Sequence, residues 1–252
     1  MLQGAGGNVG VSLGADGLLI VDDQYAQMAE KIAAALQSLS DDEPVKYIIN
    51  THYHSDHTGS NDYFVAQQRA TVLAQQNVRV RLLADPDTPP GKLPVITYKD
   101  GIELHFNDDT LAVHAFTGHT DGDSIIYFED ANVMHAGDLF FNGMFPYIDM
   151  NGGGNVEHYL ESIDQILALC NEDTLIIPGH GPLATPADYR SLRDMIRATY
   201  RYVVTHIEAG LTVEEIVAQG VAPQYKTFAW EFISEERWLR ILHANAIENG
   251  VF

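Results

Sequence analysis

Apolar positions recur along the chain at two periods, and the switches between them lay out its elements. Val9–Gly14 and Leu18–Val21 alternate on either side of Asp16-Gly17 and predict a hairpin. Asp22-Asp23 then open a helix with Met28, Ile32, Ala35, Leu36 and Leu39 on one face. Val45–Asn50 is β-branched and aromatic and predicts a short buried strand, as does Thr71–Ala74, with a helical piece over Val78–Leu83. Asp85–Gly91 is rich in proline and reads as a surface connection that cannot be helix. Ile102–Phe106 and Leu111–Phe116 alternate about Asn107–Thr110 as a second hairpin, which leaves His105 and His114 on its exposed face. Ser124–Phe128 and Val133–Ala136 form another strand pair. Tyr159, Leu160, Ile163, Ile166, Leu167 and Cys170 stripe a helix, and Thr174–Ile177 is a buried strand. Beyond it the pattern turns helical: capping boxes start helices at Thr185 and Thr212, and a last helix carries Trp238, Leu239, Ile241 and Leu242.

At 252 residues and 46% hydrophobic, this succession fits one α/β domain over 1–252, helical from about residue 185 onward. No apolar run reaches the length of a membrane span, so no membrane partner is expected. A single cysteine excludes an internal disulfide, and Cys170 reads as a core residue. The net charge of −21, with no Lys or Arg between Lys99 and Arg190, argues against nucleic acid, whose phosphates would be repelled. A small-molecule substrate is the remaining expectation; the oligomeric state has no signal in the sequence. No secretory pattern is present, yet Met1 runs almost directly into Gly4-Ala5-Gly6-Gly7-Asn8. That abrupt start suggests a preceding export signal or strand, and with a signal the soluble protein would be periplasmic.

The candidate chemistry follows the strand Val45–Asn50. Thr51–Gly59 packs His52, His54, Asp56 and His57 into six positions at a strand end, where a rigid scaffold usually carries its site residues. His52, His54 and Asp56 recur at every second residue and can share a side, while His57 projects elsewhere. This spacing suits two adjacent metal ions better than one, and imidazole with carboxylate is a donor set for zinc and other first-row metals. Later strands end in glycine beside further ligand-type residues: Gly118-His119, Gly137-Asp138 and Gly179-His180. His135 reads as support for the site or part of the core rather than as a ligand, and Tyr53 and Ser55 as facing away from the ligands.

His-x-His-x-Asp-His, here His52 to His57, resembles the signature of the metallo-β-lactamase superfamily, and the later residues fall in its expected order. The resemblance implies a four-layer αβ/βα sandwich with extra C-terminal helices. It also implies one zinc held by His52, His54 and His119, a second by Asp56, His57 and His180, and Asp138 bridging both, with iron the alternative metal. A water made acidic by two zinc ions would attack an amide, lactone or (thio)ester carbonyl, with Asp56 orienting it. Some zinc β-lactamases carry cysteine where Asp138 stands, so the ligand set is closer to glyoxalase II and lactonases. Relatives specialised for β-lactams often place a lysine three residues beyond that ligand; Phe141 stands here, and β-lactam hydrolysis is expected to be weak. The rival readings are a mono-iron, persulfide dioxygenase-like oxidoreductase and a glyoxalase II-like thioesterase.

Overall fold

The computed structural model describes residues 1–40 and 43–252. β1 (Gly10–Gly14) and β2 (Gly17–Val21) form the first hairpin, closed by Ala15-Asp16. α1 (Ala29–Ser40) then leads to β3 (Val45–Asn50). The short α2 (Ser55–Thr58) and α3 (Asn61–Gln68) follow, then β4 (Thr71–Gln75), α4 (Gln76–Leu83) and β5 (Ile96–Tyr98). β2 to β5 run parallel, and the sheet order is β1-β2-β3-β4-β5. β6 (Gly101–Phe106), β7 (Asp109–Phe116), β8 (Asp123–Phe128) and β9 (Val133–Phe141) form an antiparallel meander. After α5 (Val156–Leu169), β10 (Leu175–His180) returns parallel to β9 at the sheet's edge. α6 (Pro186–Glu208), α7 (Val213–Gln219) and α8 (Glu235–Glu248) complete the chain.

The two sheets face each other through Leu19, Val21, Ile49 and Leu73 on one side and Leu111, Val113 and Ile126 on the other. On the outer face of the first sheet, Leu18, Ile20, Ile48 and Val72 pack against Ile32 and Leu36 of α1 and Phe64 of α3. On the outer face of the second, Ile125, Met134 and Ile176 meet Tyr159 and Ile163 of α5 and Leu192 and Ile196 of α6, with Trp238 and Leu242 of α8 behind. A strand covered on both faces is apolar at every position, as Leu18-Leu19-Ile20-Val21 is, because neither side meets water. This is the αβ/βα sandwich expected of the sequence. No helix of the described residues is long and apolar enough to cross a membrane.

Several local expectations are corrected. Asp22 and Asp23 do not open a helix: both are buried, and α1 begins at Ala29. Leu39 is exposed rather than on the packed face. Pro90–Lys92 form a 3₁₀ turn inside the expected non-helical connection, with proline at the first position, where its missing N–H costs nothing. Cys170 is the half-buried C-cap of α5, and His114 is half-buried while His105 is exposed. β9 runs on through Gly137 and Asp138 to Phe141. Because β7, β9 and β10 all run in one direction, their C-terminal ends share one rim of the sandwich.

Candidate metal centre

That rim and the C-terminal end of β3 deliver the donors. The loop after β3 is held to the second sheet by the Ser124 N–H, which donates to Thr51 O at 2.8 Å, and it projects His52 and His54 before α2 presents Asp56 and His57. His119 follows β7, where the Asp123 carboxylate accepts its backbone N–H at 2.9 Å. Asp138 comes from within β9, and His180 ends β10.

All seven predicted site residues converge, in two groups. His54 Nδ1 lies 3.1 Å from His52 Nε2 and 2.9 Å from His119 Nε2. Asp56 Oδ2 lies 3.3 Å from His180 Nε2 and 3.6 Å from His57 Nε2. Asp138 stands between the groups. Its Oδ2 is 3.4 Å from His119 Nε2 and 3.7 Å from His52 Nε2; its Oδ1 is 3.1 Å from His57 Nε2 and 3.5 Å from His180 Nε2. His57 Nε2 and Asp138 Oδ1 are buried and have no hydrogen-bond partner, because their mutual approach lacks hydrogen-bond geometry. Buried polar atoms left so are costly unless a cation joins them. Donor types, crowding and orphaned atoms therefore fit divalent first-row ions.

Outer partners fix which nitrogen faces inward in the rings of His52, His54, His57 and His119. His52 Nδ1 meets Thr51 Oγ1 at 3.0 Å, His119 Nδ1 donates to Tyr147 O at 2.7 Å, and His57 Nδ1 lies 2.7 Å from Asp22 Oδ2. Each ring thereby turns Nε2 to the centre. His54 is reversed, because its Nε2 lies 2.9 Å from Asp149 Oδ2 and leaves Nδ1 inward. Such contacts hold ring orientation and raise donor basicity. Asp22 also accepts the Thr51 N–H and hydroxyl, at 2.8 and 2.7 Å.

Burial opposes charge throughout the cluster, and the neighbours decide the outcome. Burial, reinforced by neighbouring histidines, holds His52 well below its ordinary pKa. His119 is likewise pushed down, to about 4. At His57 the burial is outweighed by the Asp138, Asp56 and Asp22 carboxylates, which raise it well above the imidazole range. Asp138 and Asp56 similarly lift His180 to about 9 against its burial. Asp138 is itself held well below the carboxylate range, burial being overcome by His57 and His180. The Asp56–His57–His180 side thus attracts positive charge, so a metal ion entering there displaces protons.

Two glycines let backbone approach the cluster. A Cβ on Gly179 would stand 2.0 Å from Asp138 Oδ1, and one on Gly7 would stand 2.1 Å from His57 Cε1. Asn8 ties that first loop down: its N–H donates to Gly179 O at 2.7 Å and its side chain to Pro178 O at 2.8 Å. His135 is fully buried beside this loop, its Nε2 3.1 Å from Asn8 O.

A cavity of about 360 Å³ opens over the cluster, lined by His54, Asp56, Asp138 and His180 and by Tyr25, Phe141, Tyr147, Trp230 and Phe232. Ser55 also lines it, and the Tyr53 hydroxyl donates to Asp149 Oδ2, so neither residue faces away as the alternation suggested. Asp22 and Asp149 were not anticipated at the site. Asp22 had one signal, a carboxylate directly after a wholly apolar strand, where burial demands a partner. Asp149 had none.

The sequence profile of the family described as "Metallo-beta-lactamase superfamily" matches residues 7–180. A probable metallo-hydrolase of Bacillus subtilis is 33% identical over 144 residues, which cover 54% of this chain and 68% of that one. A hydroxyacylglutathione hydrolase of Methylococcus capsulatus is 27% identical over 182 residues, covering 70% of this chain and 66% of that one. Among solved structures, the BLEG-1 B3 metallo-β-lactamase matches with a TM-score of 0.65 at 25% identity, covering 75% of this chain and 94% of that one.

Proposed function

This chain belongs to the metallo-β-lactamase superfamily, and from that premise we propose that it is a binuclear zinc hydrolase acting on an ester, thioester, lactone or amide bond. The observation that carries the reading is Asp138, whose two carboxylate oxygens are divided between two donor groups. His52, His54 and His119 would hold one ion, Asp56, His57 and His180 the other, and Asp138 would touch both. Two such ions supply a water acidic enough to ionise near neutral pH and a Lewis acid for the carbonyl.

The protein's own part is positioning and proton transfer. Asp56 exposes part of its carboxylate to the cavity, while its Oδ2 faces His180 and His57. It would orient the attacking water and take its proton at the carboxylate, without any serine, cysteine or lysine nucleophile. Asp22 and Asp149 hold His57 and His54 in register while charge develops. A single iron held by two histidines and an aspartate, as in the redox reading, would leave four of the seven donors without a role, which favours the hydrolytic reading. The hydroxyacylglutathione hydrolases among the relatives keep thioesters within the substrate class.

The test is a panel of lactone, thioester, phosphodiester and β-lactam substrates, assayed on protein stripped by a chelator and reloaded with zinc. Hydrolysis that returns in step with two zinc ions per chain is the expected result. Iron near one per chain in protein purified without added metal, together with oxygen uptake, would replace this reading with the redox one.

A further inference from the structure

One side of the cavity contributes no metal donor, and aromatic rings form it from floor to mouth. Phe141 stacks on His180, with centroids 5.1 Å apart and planes at 14°. Trp230 lies 6.2 Å from Phe141 and 5.6 Å from Phe232, and Tyr147 lies 5.5 Å from Phe232. The wall is fixed in place. The Trp230 indole N–H donates to Phe145 O at 2.9 Å, the Phe145 N–H donates to Phe228 O at 2.7 Å, and the Phe145 ring stacks on Trp238 of α8 at 5.4 Å. With its N–H engaged, Trp230 offers the cavity a ring face and no donor.

The wall itself is apolar rather than charged. Among the described residues lining the cavity there is no Lys or Arg, while Asp56 and Asp138 lie at its floor. Of three arginines nearby, Arg81 alone pairs with a carboxylate among the described residues. Arg237 packs on Phe232 at 4.2 Å and on Tyr147 at 5.3 Å and donates to Phe232 O at 2.7 Å. Arg81 is paired through two nitrogens with Asp121, and Arg79 donates to Pro94 O. Phe232 meanwhile remains 47% exposed at the mouth, an apolar ring with unburied surface facing any entering ligand.

We propose that Trp230, Phe232, Phe141 and Tyr147 form the specificity pocket for an ester or lactone bearing an aryl or medium-length alkyl group. This rests on the hydrolase reading and narrows its substrate class. The reacting carbonyl lies over the donors, and the apolar portion runs along the rings toward Phe232.

Two measurements test this independently. For a series of p-nitrophenyl esters from acetate to octanoate on zinc-loaded protein, kcat/KM is expected to rise about fourfold per added methylene until the wall is covered, equivalent to ~0.8 kcal/mol per buried CH₂. In Phe232→Ala and Trp230→Ala the rise should fall below about twofold per methylene, with Trp230→Phe retaining most of it. The surface position of Phe232 keeps the first variant folded. Binding of the matching linear alcohols, read by quenching of tryptophan fluorescence, should tighten with the same increment and needs no turnover. Zinc-dependent hydrolysis that ignores chain length overturns the pocket and leaves the hydrolase standing. Chain-length-dependent binding without hydrolysis of any ester, thioester, lactone or amide overturns the hydrolase reading and leaves the apolar pocket.

Discussion

Asp22 is the side chain on which His57 depends. One oxygen accepts from Thr51 N–H, and the other meets both the Thr51 hydroxyl and His57 Nδ1. Its backbone is held at φ 61°, an arrangement asparagine and aspartate tolerate better than most residues. Asp22→Asn keeps the shape and removes the charge that orients and polarises the ring. Zinc affinity on the Asp56–His57–His180 side should fall by about 10–100-fold, as other outer partners of metal histidines show. Competition titration against a chromophoric chelator measures it, and an unchanged affinity would reduce Asp22 to a loop anchor. The sequence displayed the inner donors of β3 clearly because four of them are crowded into six positions. The outer partners were hidden because they come from remote segments: Asp22 lies 35 residues from His57, and Asp149 lies 95 from His54. Tyr53 was misplaced because strict alternation ends where β3 ends at Asn50, and the loop beyond it obeys no period of two.

At the level of elements, β10 shows how a strand is bent to present a donor. Its pairing with β9 shifts register around Pro178, so that His180 lies opposite Phe141 rather than continuing the regular ladder. Gly179 fills the bend, where only a hydrogen fits against the Asp138 carboxylate. Gly179→Ala should therefore rotate Asp138 and weaken zinc binding on both sides by about tenfold or more, while the far-UV spectrum is unchanged. Zinc affinity equal to that of the parent would show that Asp138 has room to move. The elements with a sustained period were legible: β2, β3 and α5 fall where their apolar spacing put them, and α6 starts at the capping box of Thr185. β5 was not, because three residues of which two are exposed carry no alternation. The start of α1 was misjudged because an acidic pair before an apolar stripe reads as a cap, whereas here Asp23 accepts the Ser60 N–H instead.

For the molecule as a whole, the net charge is −21 and no Lys or Arg among the described residues lines the cavity to anchor a substrate carboxylate, Arg237 lying at the mouth against Phe232 and Tyr147. Phe141, at the position where a lysine would serve, is stacked on His180 instead. Hydrolysis of a penicillin, a cephalosporin and a carbapenem should be detectable, since the proposed centre can open a strained amide, yet poorly positioned. Steady-state kinetics should give kcat/KM below about 10⁶ M⁻¹s⁻¹, because positioning supplies several kcal/mol of a barrier; a higher value would show that the substrate carboxylate is anchored, with Arg237 at the mouth the first residue to test. All of these expectations stand on two ions sharing Asp138. The most direct test is anomalous diffraction at the zinc edge from zinc-loaded crystals. Two peaks about 3.5–4 Å apart are predicted, one among His52, His54 and His119, the other among Asp56, His57 and His180, each in contact with Asp138. A single peak, or a second one away from Asp138, would contradict the binuclear centre.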